Sequence, residues 1–321
     1  MVSTRLTLIA GVVATIALAS CGAGGGTGAS GGGDPRTLRI AHNSNAAALP
    51  VRVAEAKGIF AKHNLKVQLT KVENLGTLPG AVGKSFDVAL SVPTTLITAA
   101  QQGIPVAQVA GATVDIEQNP TAFLIGSRKA GVSKPKDLEG KTLGVLVETG
   151  TTHVATKAWL KHEGVDLSAV KIVQVDGPAQ ADQLSSGRID AVETVMPFAT
   201  NILRNPDAAD LGDPYLKLAP ELSAILWIAQ RDFASKQPEV IKDFRAALDE
   251  AQTFIAQNDK EARQVLKDYT GLPDAVIAGT KLPTYTSEVR SEDLQVWLDT
   301  MREVDNFKTD MDLKTLVARQ N

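Results

Sequence analysis

The chain has 321 residues, of which 44% are hydrophobic, 21% charged and 4% aromatic, with a formal net charge of −3. That balance belongs to a soluble globular protein with a substantial core, and it lacks the clustered basic surface that nucleic-acid binding needs. The single cysteine rules out an internal disulfide, and the few aromatics weigh against a surface that stacks sugars or bases.

At the N-terminus Arg5 precedes an apolar run from Leu6 to Leu18, broken only by Thr7, Gly11 and Thr15. The run is shorter than the ~20 residues of a spanning helix. A basic start, a short apolar stretch and small residues before a cut form the pattern of a secretory signal peptide, placed at 1–20. Cys21 then opens a run of Gly, Ala, Ser and Thr, and residues 21–36 are expected to be a disordered linker with a reach of ~20 Å. Leu18-Ala19-Ser20-Cys21 resembles the bacterial lipobox, which implies that Cys21 is the lipidated first residue of the mature protein. The alternative is an ordinary secreted protein cut near Ala19, with Cys21 a bystander.

From Leu38 onward the hydrophobic period switches repeatedly between two and 3.6. "LRIAH" predicts a strand, "LPVRVAEAKGIF" a helix with Pro50 in its first turn, "KVQLTKV" a strand and "TLPGAVGK" a short helix. "FDVALS" predicts a strand, "TTLITAAQQ" a helix stopped at Gly103, and "VAQVAGA" a strand. The pattern restarts with strands at "TAFLIGS" and "KTLGVLV", a helix at "THVATKAWLKHEG", a strand at "VKIVQVD", a helix at "PAQADQLSSG" and a strand at "IDAVETV". "GKSFDVALSVP" and "SGRIDAVETVMP" echo one another across the halves. These are βα units around largely parallel sheets. "ELSAILWIAQ" is apolar enough to be buried on both faces, and helices follow to the end. The economical layout returns them to the first lobe, giving lobe one at 37–118, lobe two at 119–225, and a return crossover with C-terminal helices at 226–321.

Several local stretches in this order resemble one family. "AEAKGIFAKHNLKVQL", the paired "SFDVALS" and "GRIDAVE", and "KPKDLEGKTLGV" are similar to the type II substrate-binding proteins of ABC importers. Within these the resemblance is to the branch for nitrate, taurine, aliphatic sulfonates and thiamine-pyrimidine precursors. Two departures stand out: Gly150-Thr151-Thr152-His153 is one residue shorter than the family's Gly-Ser-x-x-His opening, and Val195-Met196-Pro197 replaces Trp-Asp-Pro. The resemblance implies an α/β, two-lobed periplasmic-binding-protein-like fold of type II, with two crossovers and extra C-terminal helices on lobe one. It also implies a binding protein and not an enzyme, without cofactor or metal. The expected partners are a small-molecule ligand, importer membrane subunits and, through the lipid anchor, the outer face of the cytoplasmic membrane. The chain itself is expected to be monomeric.

In open α/β sheets ligands lie beyond the carboxyl ends of the parallel strands. That rule selects Asn43, Ser44, Asn45, Leu75, Ser91, Thr94, Glu148, Thr151, Thr152, His153 and Glu193, with Trp227 as a candidate for stacking on a ring. The threonines at helix starts either hold an anion alongside free backbone N–H groups or only cap their helices. Glu148, Asp176 and Glu193 either accept a cationic ligand or face solvent, and Trp227 either stacks on a ligand or fills the core. Asp87 and Asp190 begin their strands and so belong to the far edge as structural residues.

Other chemistries fail on pattern. "LPGAVGKS" has Leu78 where a phosphate loop needs its first glycine, and it leads into a strand. His42, His63, His153 and His162 have no metal-ligand spacing. An enzyme of the same fold acting on a small heterocycle, and a tethered receptor serving a sensor, remain the alternatives.

Overall fold

The computed structural model describes residues 36–318, so the expected signal peptide, Cys21 and the glycine run through residue 35 lie outside the described residues. Lobe one opens with β1 (Arg36–His42), α1 (Leu49–Ala56), α2 (Ile59–Lys62), β2 (Leu65–Lys71), β3 (Val88–Ser91), α3 (Pro93–Gln101) and β4 (Val106–Ile116). The single helix expected over 49–60 divides because Gly58 takes φ +66°, a left-handed conformation that suits glycine. No helix forms over "TLPGAVGK". A 3₁₀ turn at Leu75–Thr77 is followed by turns through Pro79, Gly80 and Gly83, residues that lack a helix's donor or its conformational preference.

Lobe two contains β5 (Ala122–Ser127), β6 (Thr142–Val145), α4 (Thr151–His162), β7 (Lys171–Gln174), α5 (Gly177–Ser185), β8 (Ala191–Val195), α6 (Phe198–Leu203) and β9 (Ala208–Gly212). The chain then crosses back through 213–220 into β10 (Glu221–Gln230), five residues ahead of the expected boundary at 225/226. There follow α7 (Arg231–Lys236), α8 (Pro238–Gln257), α9 (Asp259–Thr270), α10 (Asp274–Gly279), β11 (Thr284–Tyr285) and α11 (Asp293–Asp305). In α8, Val240, Ile241, Phe244, Ala247, Leu248, Ala251 and Ile255 form one buried stripe at helical spacing, with Pro238 starting the helix. Among the described residues no helix is long and apolar enough to cross a membrane.

The sheets are mixed. Lobe one is ordered β11-β4-β10-β3-β1-β2 and lobe two β7-β6-β8-β5-β9. Only β2-β1-β3 and β7-β6-β8 run parallel; β10 is antiparallel to both β3 and β4, and β5 to both β8 and β9. The strands that carry or receive the crossovers are the antiparallel ones. The chain passes between the sheets only at 117–121 and 213–220 among the described residues.

The echo between halves has a structural basis. The Asp87 carboxylate accepts from the Arg39 backbone N–H at 2.8 Å, and Asp190 accepts from the Thr142 N–H at 2.8 Å. Each acid therefore ties the start of the third strand of a parallel trio to its central strand, on the edge away from the strand tips. Residues such as Ile40, Val88, Leu90, Val192 and Ile228 are fully buried, each worth ~1.5–3 kcal/mol of transfer free energy.

Candidate functional site

The carboxyl ends of both parallel trios converge on one cleft, of ≈ 610 Å³ counted out to its mouth. Lobe one supplies Asn43 and Asn45 after β1, Glu73 and Leu75 after β2, and Val92 after β3. Lobe two supplies Leu146 and Val147 after β6, Gly150, Thr151 and Thr152 at the start of α4, Asp176 and Gly177 at the start of α5, and Val195 and Phe198 around the end of β8. Tyr215 and Ile225 complete it from the returning chain.

The loop after β1 is fixed from several sides. His42 Nδ1–H donates to the Asn43 carbonyl at 2.8 Å, and burial holds the imidazole's pKa down at about 4, so the ring is neutral near pH 7. Asn45 accepts the Ala47 N–H at 3.0 Å, and the Tyr269 hydroxyl donates to the Asn45 carbonyl at 2.9 Å. The Ala46 N–H reaches across to the Met196 carbonyl at 3.0 Å, joining the lobes beside the cleft.

The α4 start faces the cleft with its backbone. Thr151 and Thr152 Oγ1 lie 3.0 and 2.8 Å from the Tyr215 hydroxyl, so both side chains are turned toward that ring. Burial raises the Tyr215 pKa and keeps the phenol neutral. The N–H groups of Thr151, Thr152 and His153 have no acceptor among the described hydrogen bonds. They form the positive end of a twelve-residue helix, suited to an anionic group. At α5, Gly177 allows Phe198 to lie against the first turn, because a Cβ there would come within 2.2 Å of the ring.

Among the described residues, the formal charges in the lining are Glu73 and Asp176, both negative, and no Lys, Arg or His is part of the lining itself. Glu73 Oε1 accepts the Ser44 hydroxyl at 2.6 Å, and Lys71 Nζ stands 3.7 Å away. Asp176 precedes α5 without using its side chain as a cap. Sequence reasoning named Asp176 among the acids but passed over Glu73, which sits one residue before the Asn74-Leu75 tip of β2. It also passed over Tyr215, Phe198 and the valines. The signal for Glu73 was available, since it is a carboxylate at a strand's carboxyl end with only Lys71 near it in sequence.

Of the residues selected from sequence, Asn43, Asn45, Leu75, Thr151 and Thr152 line the cleft. The others are placed elsewhere. Ser44 is buried behind Glu73 and positions it. Ser91 is fully buried in the sheet, and its hydroxyl has no partner. The Thr94 hydroxyl donates to the Thr149 carbonyl at 2.6 Å, a bond between α3 of lobe one and the loop before α4. Glu148 is exposed on that same loop and outside the lining. His153 and Glu193 are buried against each other beneath α4, Nδ1 to Oε2 at 3.2 Å, and leave Glu193 Oε1 without a donor. Trp227 is 1% exposed and packs edge-on against Phe244, 5.7 Å between ring centroids, so it belongs to the core. Among the described residues no cluster of His, Cys, Asp and Glu could hold a metal ion.

A protein-family model described as NMT1/THI5 like matches residues 45–262. The chain is 31% identical over 251 residues to the taurine-binding periplasmic protein of Escherichia coli (strain K12), covering 72% of each chain. It is 25% identical over 230 residues to 4-amino-5-hydroxymethyl-2-methylpyrimidine phosphate synthase of Candida albicans (strain WO-1), covering 67% of this chain and 65% of that one. Among solved structures, the periplasmic aliphatic sulphonate binding protein SsuA from Escherichia coli superposes with a TM-score of 0.73 at 17% identity, over 88% of this chain and 98% of that one. At that identity the likeness speaks for the fold, and it is the two-lobed periplasmic-binding-protein fold that the sequence resemblance implied. With two α/β lobes, a cleft at the tips of both parallel trios and a family match that spans both lobes, the chain belongs to the NMT1/THI5-like family.

Proposed function

We propose that the chain is the extracytoplasmic solute-binding member of an ABC importer. In this reading its cleft takes one small molecule that carries both an amine and an anionic end, and passes it on unchanged. The observation that carries the reading is the lining itself: two carboxylates, no cation, and one helix start with free N–H groups. Glu73 is half-buried with Lys71 beside it and Asp176 is exposed; a ligand covering them would take both carboxylates from water, and its amine would offset that desolvation. The anionic end then sits at the first turn of α4. A taurine-like aminosulfonate has both ends, and a relative bearing taurine in its name supports that choice. A bare nitrate or alkanesulfonate would leave Asp176 unpaired and bring Glu73 no partner beyond Lys71.

The test is native mass spectrometry of freshly purified protein, followed by thermal-shift titration with taurine, ethanesulfonate, nitrate and an amino-pyrimidine. Taurine is expected to raise the melting temperature most, following RT ln(1 + [L]/Kd), and product analysis should find it unaltered. A larger shift with ethanesulfonate would sink the amine argument. Turnover of any compound would favour a second reading, an enzyme acting on a small heterocycle, to which the synthase relative lends support.

The anchor belongs to the same proposal. Cys21→Ala should release the protein from the membrane fraction, and full retention of a correctly processed variant would refute acylation at that residue.

A further inference from the structure

Asp115 stands near the end of β4, where the chain leaves lobe one, and Asp213 follows β9, where it leaves lobe two. Both are buried, at 0% and 7% exposure. Asp115 Oδ1 accepts the Thr121 backbone N–H at 2.7 Å and the Thr121 hydroxyl at 2.5 Å. The next residue, Ala122, donates its N–H to Asp213 Oδ2 at 3.3 Å, and the Tyr215 N–H donates to Asp213 Oδ1 at 2.7 Å. The two acids thus grip the end of the outward crossover and the start of the return one. Asp115 Oδ2 finds no donor, and the two carboxyls are neighbours, because they accept from the N–H groups of the consecutive residues Thr121 and Ala122. Two ionised carboxylates can only accept, so a bond between them requires a proton.

We propose that Asp115 and Asp213 share one proton, and that this proton latches the two crossovers together, so that the hinge beside the cleft loosens when it is lost. Nothing charged competes for the pair. No Lys, Arg or His among the described residues bonds to either acid. On the outward crossover Glu117 is exposed; on the return one Lys217 lies over the Trp159 ring at 5.0 Å. At the start of β10 Glu221 is engaged by Arg290, which also pairs with Asp293 of α11. The remaining ionisable neighbour is Tyr215, kept neutral by burial.

Burial, then the charge of its neighbour, push Asp213 up to about 8, and burial raises Asp115 as well. Tyr215 extends the latch to the site, since its N–H is held by Asp213 while its hydroxyl lies between Thr151 and Thr152. None of this depends on which ligand the cleft takes.

The sign follows from linkage. An unfolded aspartate releases its proton near pH 4, whereas the folded pair keeps one until about pH 8. Across that window the folded state binds more protons, so this pair's contribution is fullest at the acid end and falls as pH rises, levelling off above the folded value. Asp115→Asn keeps an acceptor for Thr121 and places a permanent N–H donor where Oδ2 was.

The experiment follows the ligand-free full chain by thermal unfolding from about pH 5 to about pH 9, with infrared spectra near pH 6. The parent should lose melting temperature on the alkaline side and show a protonated carboxyl band where ordinary carboxyls are ionised. Asp115→Asn should lose the band and flatten the slope. Above pH 8, amide exchange at 116–122 and 213–220, corrected for intrinsic rate, should be faster in the parent than in Asp115→Asn. A parent without the band, or a variant with the parental pH profile, would overturn the proposal. If Asp115→Asn does not fold, Asp213→Asn and the parent's own band decide the matter.

Discussion

Trp227→Ala should lower the unfolding free energy by ~3–5 kcal/mol while leaving the ligand affinity of the folded fraction essentially unchanged. Trp227 lies in the middle of β10, opposite Leu90 of β3 and Ala110 of β4, with Phe244 of α8 edge-on to its ring. Truncation there removes a fully buried indole and leaves a cavity lined by rigid sheet. Denaturant unfolding read by circular dichroism, with calorimetric titration of ligand, separates the two quantities. A variant of parental stability that no longer binds would return Trp227 to the cleft.

The second large effect belongs to the cleft. Glu73→Gln with Asp176→Asn should weaken an amine-bearing ligand far more than either change weakens folding. Each removes a charge-assisted contact worth ~1.5–3 kcal/mol, so the pair should cost on the order of 10²- to 10⁴-fold in affinity. The amide oxygen introduced by Glu73→Gln can still accept from Ser44, and Asp176 makes no side-chain cap that would be lost. Titration with taurine and with ethanesulfonate gives the comparison. Equal losses for both would mean that the acids shape the cleft without pairing to an amine.

Much of the fold was legible because its period changes are clean. "LRIAH", "FDVALS" and "IDAVETV" became β1, β3 and β8, and Asp87 and Asp190 sit on the edge where their position in those stretches put them. What could not be read was direction. Whether "ELSAILWIAQ" runs parallel or antiparallel is decided by where the chain re-enters the sheet, between β3 and β4, and no local pattern encodes that. The same limit applies to the site. The strand-tip rule located the right loops but not which side chain of each loop points inward. Ser44 and Glu73 show the difference: the serine is at a strand tip, yet it is the acid from the neighbouring tip that reaches the cleft, with the serine behind it. Thr94 and Glu193 failed for another reason. Their partners, the Thr149 carbonyl and His153, lie 55 and 40 residues away in sequence.

The position of β10 also orders events in time. In lobe one β3 and β4 are not neighbours; β10 lies between them and bonds to both. A chain emerging from its N-terminus therefore cannot finish its first sheet until residues 221–230 have been made, and until then two strands keep open edges. Lobe two is contiguous from β5 to β9 and meets no such wait. The lobe that begins first is completed last, and its long-range pairings set a slow final step that keeps the N-terminal third pliable while the rest of the chain is delivered.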